Sequence, residues 1–319
     1  GIVPLQIWVT DAAGNQDFCT TQIEIQDNQG VCSGNQVASV GGAVTNELGF
    51  DVANVAISLS GGSVPPVMTG SDGNFSFQQV PLGGDFSIIP AKDTNLLNGV
   101  TTFDIVTIRK HILNIAPLGS PYKIIAADAN RSNTVTTYDV VEIQKAILHI
   151  TYSFSNNKSW RFVRADYVFP NPANPFSPGF PEVYNINNIS GDLSGVDFIA
   201  IKIGDVNNSA MLNQFHLPHE ERSGETLQLM IADLQMEQGN TYKLDFTVQN
   251  FQALVGCQFA LQFDPEKLDL VGFENGDLPS LTESNIGFRL LDEGVLTASW
   301  SDFQAVSLPD GAVLISLRF

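Results

Sequence analysis

The chain has 319 residues, 43% hydrophobic and only 15% charged, enough apolar material for real cores and too little charge for a disordered tail. Lys and Arg number 15 against 34 Asp and Glu, a net charge of −19, which is the wrong sign for a nucleic-acid binder. No apolar run reaches the ~18 residues that a transmembrane helix needs, so no transmembrane segment is expected; an acidic chain rich in Asn, Thr, Ser and Gly suits a secreted protein whose clustered acids meet divalent cations.

Residues 1–30 read as two strands. Leu5, Ile7 and Val9 alternate, "DAAGN" supplies turn residues, then Cys19, Thr21, Ile23 and Ile25 alternate. Two strands make no stable domain alone, and the chain begins without Met in strand-like sequence, so these are expected to close a sandwich lying upstream. "VTDAAGNQDFCTTQIEI" resembles the end of a HYR repeat, an immunoglobulin-like module of extracellular proteins. Cys19 has Cys32 or a cysteine upstream of residue 1 as potential partners. Cys257, in phase with Phe259, Leu261 and Phe263, is expected to act as a small buried apolar side chain.

Residues 37–91 read as a second all-β unit, with Val55, Ile57 and Leu59 alternating and Phe75 and Phe77 following a turn. "TGSDGNFSFQQVPLGGDFSIIP" is similar to carboxypeptidase-regulatory-like and Cna-B-type domains, spacers of bacterial surface proteins. Some Cna-B-type relatives carry a Lys–Asn isopeptide cross-link; no lysine precedes Lys92 here, so that bond is not expected.

Residues 92–210 begin with a duplication. "DTNLLNGVTTFD" (Asp93 to Asp104) and "DANRSNTVTTYD" (Asp128 to Asp139) align without a gap at an offset of 35. Each precedes an amphipathic stretch, Ile105, Ile108, Ile112 and Ile115 in the first and Val140, Ile143, Ile147 and Ile150 in the second, spaced to share one helical face. Calcium needs six to eight oxygens, which a twelve-residue loop supplies from positions 1, 3, 5, 7, 9 and 12. In the second copy these are Asp128, Asn130, Ser132, the Thr134 carbonyl, Thr136 and Asp139. In the first they are Asp93, Asn95, the Gly99 carbonyl, Thr101 and Asp104; Leu97 takes position 5, where a carbonyl or water would have to substitute. Position 6 holds Asn98 and Asn133, and Asn tolerates the left-handed geometry of a sharp turn.

The pair resembles a dockerin type I unit, two calcium loops each preceding a helix, with Asp as the last ligand. The resemblance implies bound Ca2+ and a cohesin as protein partner. Dockerins that bind cohesins in trans often carry a small hydroxyl pair at loop positions 10 and 11; here those are Thr102-Phe103 and Thr137-Tyr138, and the bulky aromatics suggest a face covered within the chain. The rest of this segment is irregular and Pro-rich, excluding a long helix. Trp160, Phe162, Tyr167 and Phe169 are expected to wrap it over its neighbours. "IGDVNNSA" repeats the acid, amide and hydroxyl of a loop start in Asp205, Asn207 and Ser209; it reads as an Asx-rich turn, with capping of the calcium unit or lending ligands to it as alternatives.

Residues 224–319 alternate cleanly, and "FALQFDPEKLDLVGFE" with "LTASWSDF" resembles a cohesin, the β-sandwich receptor module of bacterial scaffolding proteins, short of its last strands. No nucleophile elbow, P-loop, dinucleotide fingerprint or zinc CxxC pair is present. His216 and His219 flank Pro218, which opposes the helix a metal pair would need, and Glu220-Glu221 lies in linker sequence. The expected fold is mainly β, tandem immunoglobulin-like sandwiches with one dockerin-like helical unit inserted. The expected role is non-enzymatic: an adhesive or structural, calcium-stiffened segment of a large secreted bacterial surface protein, in a fibre or appendage, contacting copies of itself or neighbouring modules. The alternatives are a scaffoldin-type module recruiting partner proteins, and an accessory region of a secreted glycan-degrading enzyme, with a surface glycan as ligand.

Overall fold

The computed structural model of the chain describes residues 2–10, 16–24, 36–62, 64–213 and 226–319. Cys32, His216, His219, Glu220 and Glu221 lie outside them. The fold is mainly β. Strands β1 (Ile2–Thr10) and β2 (Gln16–Glu24) form an antiparallel hairpin, Leu5 facing Thr21 and Ile7 facing Cys19.

The first sandwich begins with β3 (Val37–Thr45), β4 (Ala56–Ser60), β5 (Val67–Met68), β6 (Asn74–Pro81) and β7 (Phe86–Ala91). Three helices follow: α1 (Thr102–Ile112), α2 (Pro121–Ala127) and α3 (Thr137–Ile147). The chain then returns with β8 (Trp160–Arg164), β9 (Tyr184–Ile186) and β10 (Phe198–Lys202). These last three do more than wrap. They complete both sheets of the first sandwich, whose orders are β6-β3-β10-β8 and β5-β4-β7-β9. The unit expected over 37–91 is therefore finished by strands from within the segment expected to be separate, and residue 91 is no boundary between bodies. The physical reason is visible in β8 and β10, which are buried on both faces. Trp160, Phe162, Phe198 and Ala200 enter the sandwich core with Val40, Ile57 and Phe77. Val163 and Ile201 enter a second core with Ile105, Ile108, Ile125, Val140 and Ile143 from the helices. A strand buried on both faces loses the period-two signal that marks a half-exposed strand.

Each expected helical stripe is present, but α1 and α3 stop at Leu113 and Leu148, so Ile115 and Ile150 fall outside and are exposed. Helix α2 starts from Ser120, whose hydroxyl accepts the Tyr122 N–H at 3.2 Å, with Pro121 in its first turn.

The second sandwich comprises β11 (Gln228–Ile231), β12 (Lys243–Gln249), β13 (Leu254–Gln262), β14 (Gly272–Asn275), β15 (Ile286–Gly287), β16 (Val295–Val306) and β17 (Val313–Arg318). Its sheets run β11-β12-β17-β14 and β13-β16-β15. Leu296, Ala298 and Trp300 point from β16 into the core with Val248, Phe251 and Ile315. The alternate residues Thr297 and Ser299 are polar yet buried, because the helices cover this face. No helix among the described residues is long and apolar enough to cross a membrane.

Candidate metal centre

Both long helices grow from a loop that ends in a capping box. Asp139 Oδ2 accepts the Thr136 N–H at 2.8 Å, and Asp104 Oδ2 accepts the Thr101 N–H at 2.8 Å. In the second copy the loop closes on Asp128. Its Oδ1 accepts the Ser132 N–H at 2.8 Å and its Oδ2 the Asn133 N–H at 2.9 Å, while Asn130 Oδ1 accepts the Ser132 N–H at 2.9 Å. Asp139 Oδ1 returns to the Asn130 N–H at 3.1 Å. Left-handed backbone at Arg131 (φ 58°) and Asn133 (φ 63°) bends the chain around the centre.

The oxygens of Asp128, Asn130, Ser132, Thr134 and Asp139 thus belong to one closed loop, with Thr136 capping α3. Ser132 Oγ lies 3.5 Å from Asp128 Oδ1 and 3.1 Å from the Thr134 carbonyl oxygen. Two oxygens held at right angles by one calcium ion at about 2.4 Å stand about 3.4 Å apart, so these two separations are compatible with such an ion as well as with the hydrogen bonds they form here. Among the described residues no three carboxylate, imidazole or thiol groups converge. The loop offers two carboxylates completed by neutral oxygens, the chemistry of a hard cation. Asp128 and Asp139 are fully buried and take part in none of the described ion pairs. Burial pushes the Asp128 carboxyl above its ordinary range, against the opposing N–H bonds from Ser132 and Asn133.

The first copy is arranged differently. Asp104 ends its loop, fully buried, but Asp93 and Asn95 do not join it. Asp93 pairs with Lys158 Nζ at 2.8 Å and accepts the Ser159 N–H at 2.9 Å, with its side chain half exposed. Asn95 is left-handed (φ 55°), and its carbonyl accepts the Asn98 N–H at 3.0 Å. Leu97 packs against the helical core. Gly99 and Asp104 instead meet the segment read from sequence as a turn: Ser209 Oγ donates to the Gly99 carbonyl at 3.0 Å, and the Val206 N–H to Asp104 Oδ1 at 2.9 Å. Burial, and secondly the charge of Asp205, push Asp104 up to about 7; burial also raises Asp205.

Immediately after these loops the helices meet the β13-β16-β15 sheet of the second sandwich. The Thr102 N–H and hydroxyl reach Gln258 Oε1 at 2.8 and 3.1 Å, and the same hydroxyl lies 2.8 Å from Ser299 Oγ. Arg109 Nη1 donates to Ser301 Oγ at 2.6 Å, and Thr297 Oγ1 to the Leu148 carbonyl at 3.0 Å. Arg289 Nη1 donates to the Ile150 carbonyl at 3.0 Å, its guanidinium 4.8 Å from the Tyr152 ring centre. This contact joins residues some 150 positions apart, so no local pattern could announce its partners; only the bulk of Phe103 and Tyr138 hinted at a covered face. Those two rings are themselves exposed, and the small Thr102 beside Phe103 makes the contact.

No protein-family model and no curated protein matches the chain. Among solved structures it is similar to a type I cohesin–dockerin complex of Clostridium thermocellum, at 12% identity over 30% of this chain and 71% of that one, with a TM-score of 0.26. It is also similar to the major pilin subunit of Bacillus cereus, at 11% identity over 89% of this chain and 57% of that one, with a TM-score of 0.20. A variant of the same pilin gives a TM-score of 0.22, and the chain spans 58% of its length.

Proposed function

We propose that this chain is a non-enzymatic structural segment of a secreted bacterial surface protein, part of an extracellular fibre or appendage, stiffened by calcium and by docking of its own dockerin-like helices on its own cohesin-like sandwich. The observation that carries the reading is the seat of α1 and α3 on β13-β16-β15. Thr102, Arg109 and the Leu148 carbonyl are all engaged within the chain. A sandwich face occupied in this way has no room for a recruited helix pair, which separates a stiff rod from a scaffoldin-type receptor. Calcium at the loops neutralises buried aspartates and fixes the ends from which the helices start, Asp128, Asn130, Ser132, the Thr134 carbonyl and Asp139 holding one ion and Asp104 belonging to a second.

The test combines four measurements on the intact chain. Calorimetric titration is expected to show uptake of about two calcium ions, and chelation to lower the melting temperature, since a ligand held a thousandfold above its Kd adds about 4 kcal/mol. Asp139→Ala is expected to lose one of those ions. A pull-down with dockerin-bearing proteins is expected to capture nothing. Light scattering is expected to show self-association favoured by calcium, which cancels part of the net charge of −19. Absence of calcium uptake with melting indifferent to chelator refutes the stiffening, and capture of a dockerin refutes the closed seat. A monodisperse monomer with calcium and with chelator, well above micromolar concentration, removes the self-associating fibre and leaves a passive stalk.

A further inference from the structure

We propose that the calcium site beside α1 is split between two distant segments, Asp205, Asn207 and Ser209 supplying its first half and the Gly99 carbonyl and Asp104 its second. The inference rests on the calcium reading above and names the residues of its second ion.

The contiguous loop provides the measure, because the split one repeats four of its hydrogen bonds, although Asp104 Oδ1 accepts from the second position, Val206, where Asp139 Oδ1 accepts from the third, Asn130. Ser132 N–H reaches Asp128 Oδ1 at 2.8 Å and Asn130 Oδ1 at 2.9 Å; Ser209 N–H reaches Asp205 Oδ1 at 3.2 Å and Asn207 Oδ1 at 3.0 Å. Asn133 N–H reaches Asp128 Oδ2 at 2.9 Å; Ala210 N–H reaches Asp205 Oδ2 at 2.9 Å. Ser132 Oγ meets the Thr134 carbonyl at 3.1 Å; Ser209 Oγ meets the Gly99 carbonyl at 3.0 Å. The fourth position is left-handed in both, Arg131 at 58° and Asn208 at 62°. Where one loop runs on from Asn133 to Thr134, the other changes segment between Ala210 and Gly99. That junction is tight. A Cβ on Gly99 would lie 2.5 Å from the Ala210 nitrogen, and Asn98 and Met211 exchange two hydrogen bonds of 2.8 Å across it.

Charge gives an independent reason. Asp104 and Asp205 are both buried, and neither forms an ion pair among the described residues. The nearby ammonium of Lys202 donates instead to the Leu96 and Ile203 carbonyls, at 2.7 and 3.1 Å. Lys202 is close enough to act on both carboxylates and offsets one of the two charges; the other stays in a dry site, where an unpaired charge costs several kcal/mol, and a divalent cation between the carboxylates meets it. Asp93, which the contiguous repeat nominates, already has Lys158. The ion therefore ties the segment after β10 to the N-terminus of α1, with Asp104 two residues from the Thr102 seat.

The experiment is calorimetric titration of the intact chain with calcium chloride in four forms: wild type, D93N, D205N and D139N. Wild type and D93N are expected to take up about two ions, and D205N and D139N about one each. D205N keeps the shape of the side chain but turns an NH2 towards one of the N–H groups that both oxygens of Asp205 accept, so its melting is expected to fall somewhat below wild type even in chelator, and the ion count decides the assignment. Should D205N fail to fold, the exposed Asn207→Ala provides the same reading, with one ion weakened roughly tenfold or more. Loss of an ion in D93N, or two ions at wild-type affinity in both D205N and Asn207→Ala, overturns the split site. Uptake of a single ion that D139N abolishes and D205N spares overturns it while leaving the calcium reading intact. No uptake by wild type refutes both.

Discussion

Gly287 offers the sharpest probe of the seat between helices and sandwich. It lies in β15 opposite Thr297, at the point where α3 ends against the sheet. A Cβ built there would stand 2.2 Å from the Leu148 carbonyl oxygen and 2.3 Å from Thr297 Oγ1, the two atoms that bond each other across the interface. Ordinary contact needs more than an ångström of extra room, and both neighbours belong to packed elements. Gly287→Ala must therefore break the Thr297–Leu148 bond, worth about 1 kcal/mol, and displace α3, for which overpacking costs about 1–3 kcal/mol. The Leu148 carbonyl is also among the last of its helix and has no later turn to donate to it. A loss of about 3 kcal/mol follows, or roughly 6–12 °C in the melting transition at the slope expected of 150–250 residues. Differential scanning calorimetry reads it against Gly191→Ala, whose Cβ would meet nothing within 4 Å. If the two variants melt within about 1 °C of each other, the close approach of α3 to β15 is refuted, and the seat with it.

Two further outcomes follow from the same contacts. Thr102 and Thr137 hold equivalent loop positions, one buried under the sandwich and the other exposed. Thr102→Val is expected to cost about 1–2 kcal/mol in denaturant titration and Thr137→Val less than about 0.5 kcal/mol; equal losses would mean that the helices dock through another face. Burial pushes the Cys257 thiol up to about 12, so in the folded chain it stays protonated where a free thiol ionises. The stability tied to that proton is complete below about 9 and is lost as the pH climbs towards 12. At pH 8, iodoacetamide is expected to modify the exposed Cys19 and to reach Cys257 only after unfolding, mass spectrometry giving the readout; equal native rates would contradict the burial.

What the sequence disclosed depended on whether the determining contacts were local. Helices α1 and α3 were legible because Ile105 and Ile108, or Val140 and Ile143, fall on one face within a single turn, and the second sandwich because its strands keep one face for the core. The second loop was legible because all its oxygens lie within twelve residues, Asp128 to Asp139. Helix α2 escaped notice: its seven residues are too few for a period, and only the Ser-Pro start at Ser120 and Pro121 could have signalled it. In the first loop duplication preserved the letters, but the structure sets Asp93 beside Lys158 and Asp104 beside Val206. Asp93 keeps the aspartate of position 1 and spends it on Lys158, whereas Asp205 has the geometry of that position 112 residues later. Proximity is decided in space, and a gapless alignment carries no information about which oxygens are close. Strands β8 and β10 were hidden for the related reason that both their faces are buried.

The interleaving of segments bears on how the parts hold together. The helices leave the first sandwich after β7 and the chain re-enters it at β8, so both ends of the helical insertion are pinned by strands of one body. Val163 and Ile201 then press the helices from below, while Gln258, Ser299 and Ser301 hold α1 from above. A unit gripped on two sides cannot tilt towards one sandwich without opening against the other. The loops feed both grips: Asp104 accepts the Val206 N–H on the side of the first sandwich, and two residues before it Thr102 bonds the second. Ordering the Asp104 carboxylate therefore orders both contacts at once. On the proposed function, stiffness along the chain would then be a property of the junction, set by a handful of buried oxygens rather than by the larger apolar cores on either side.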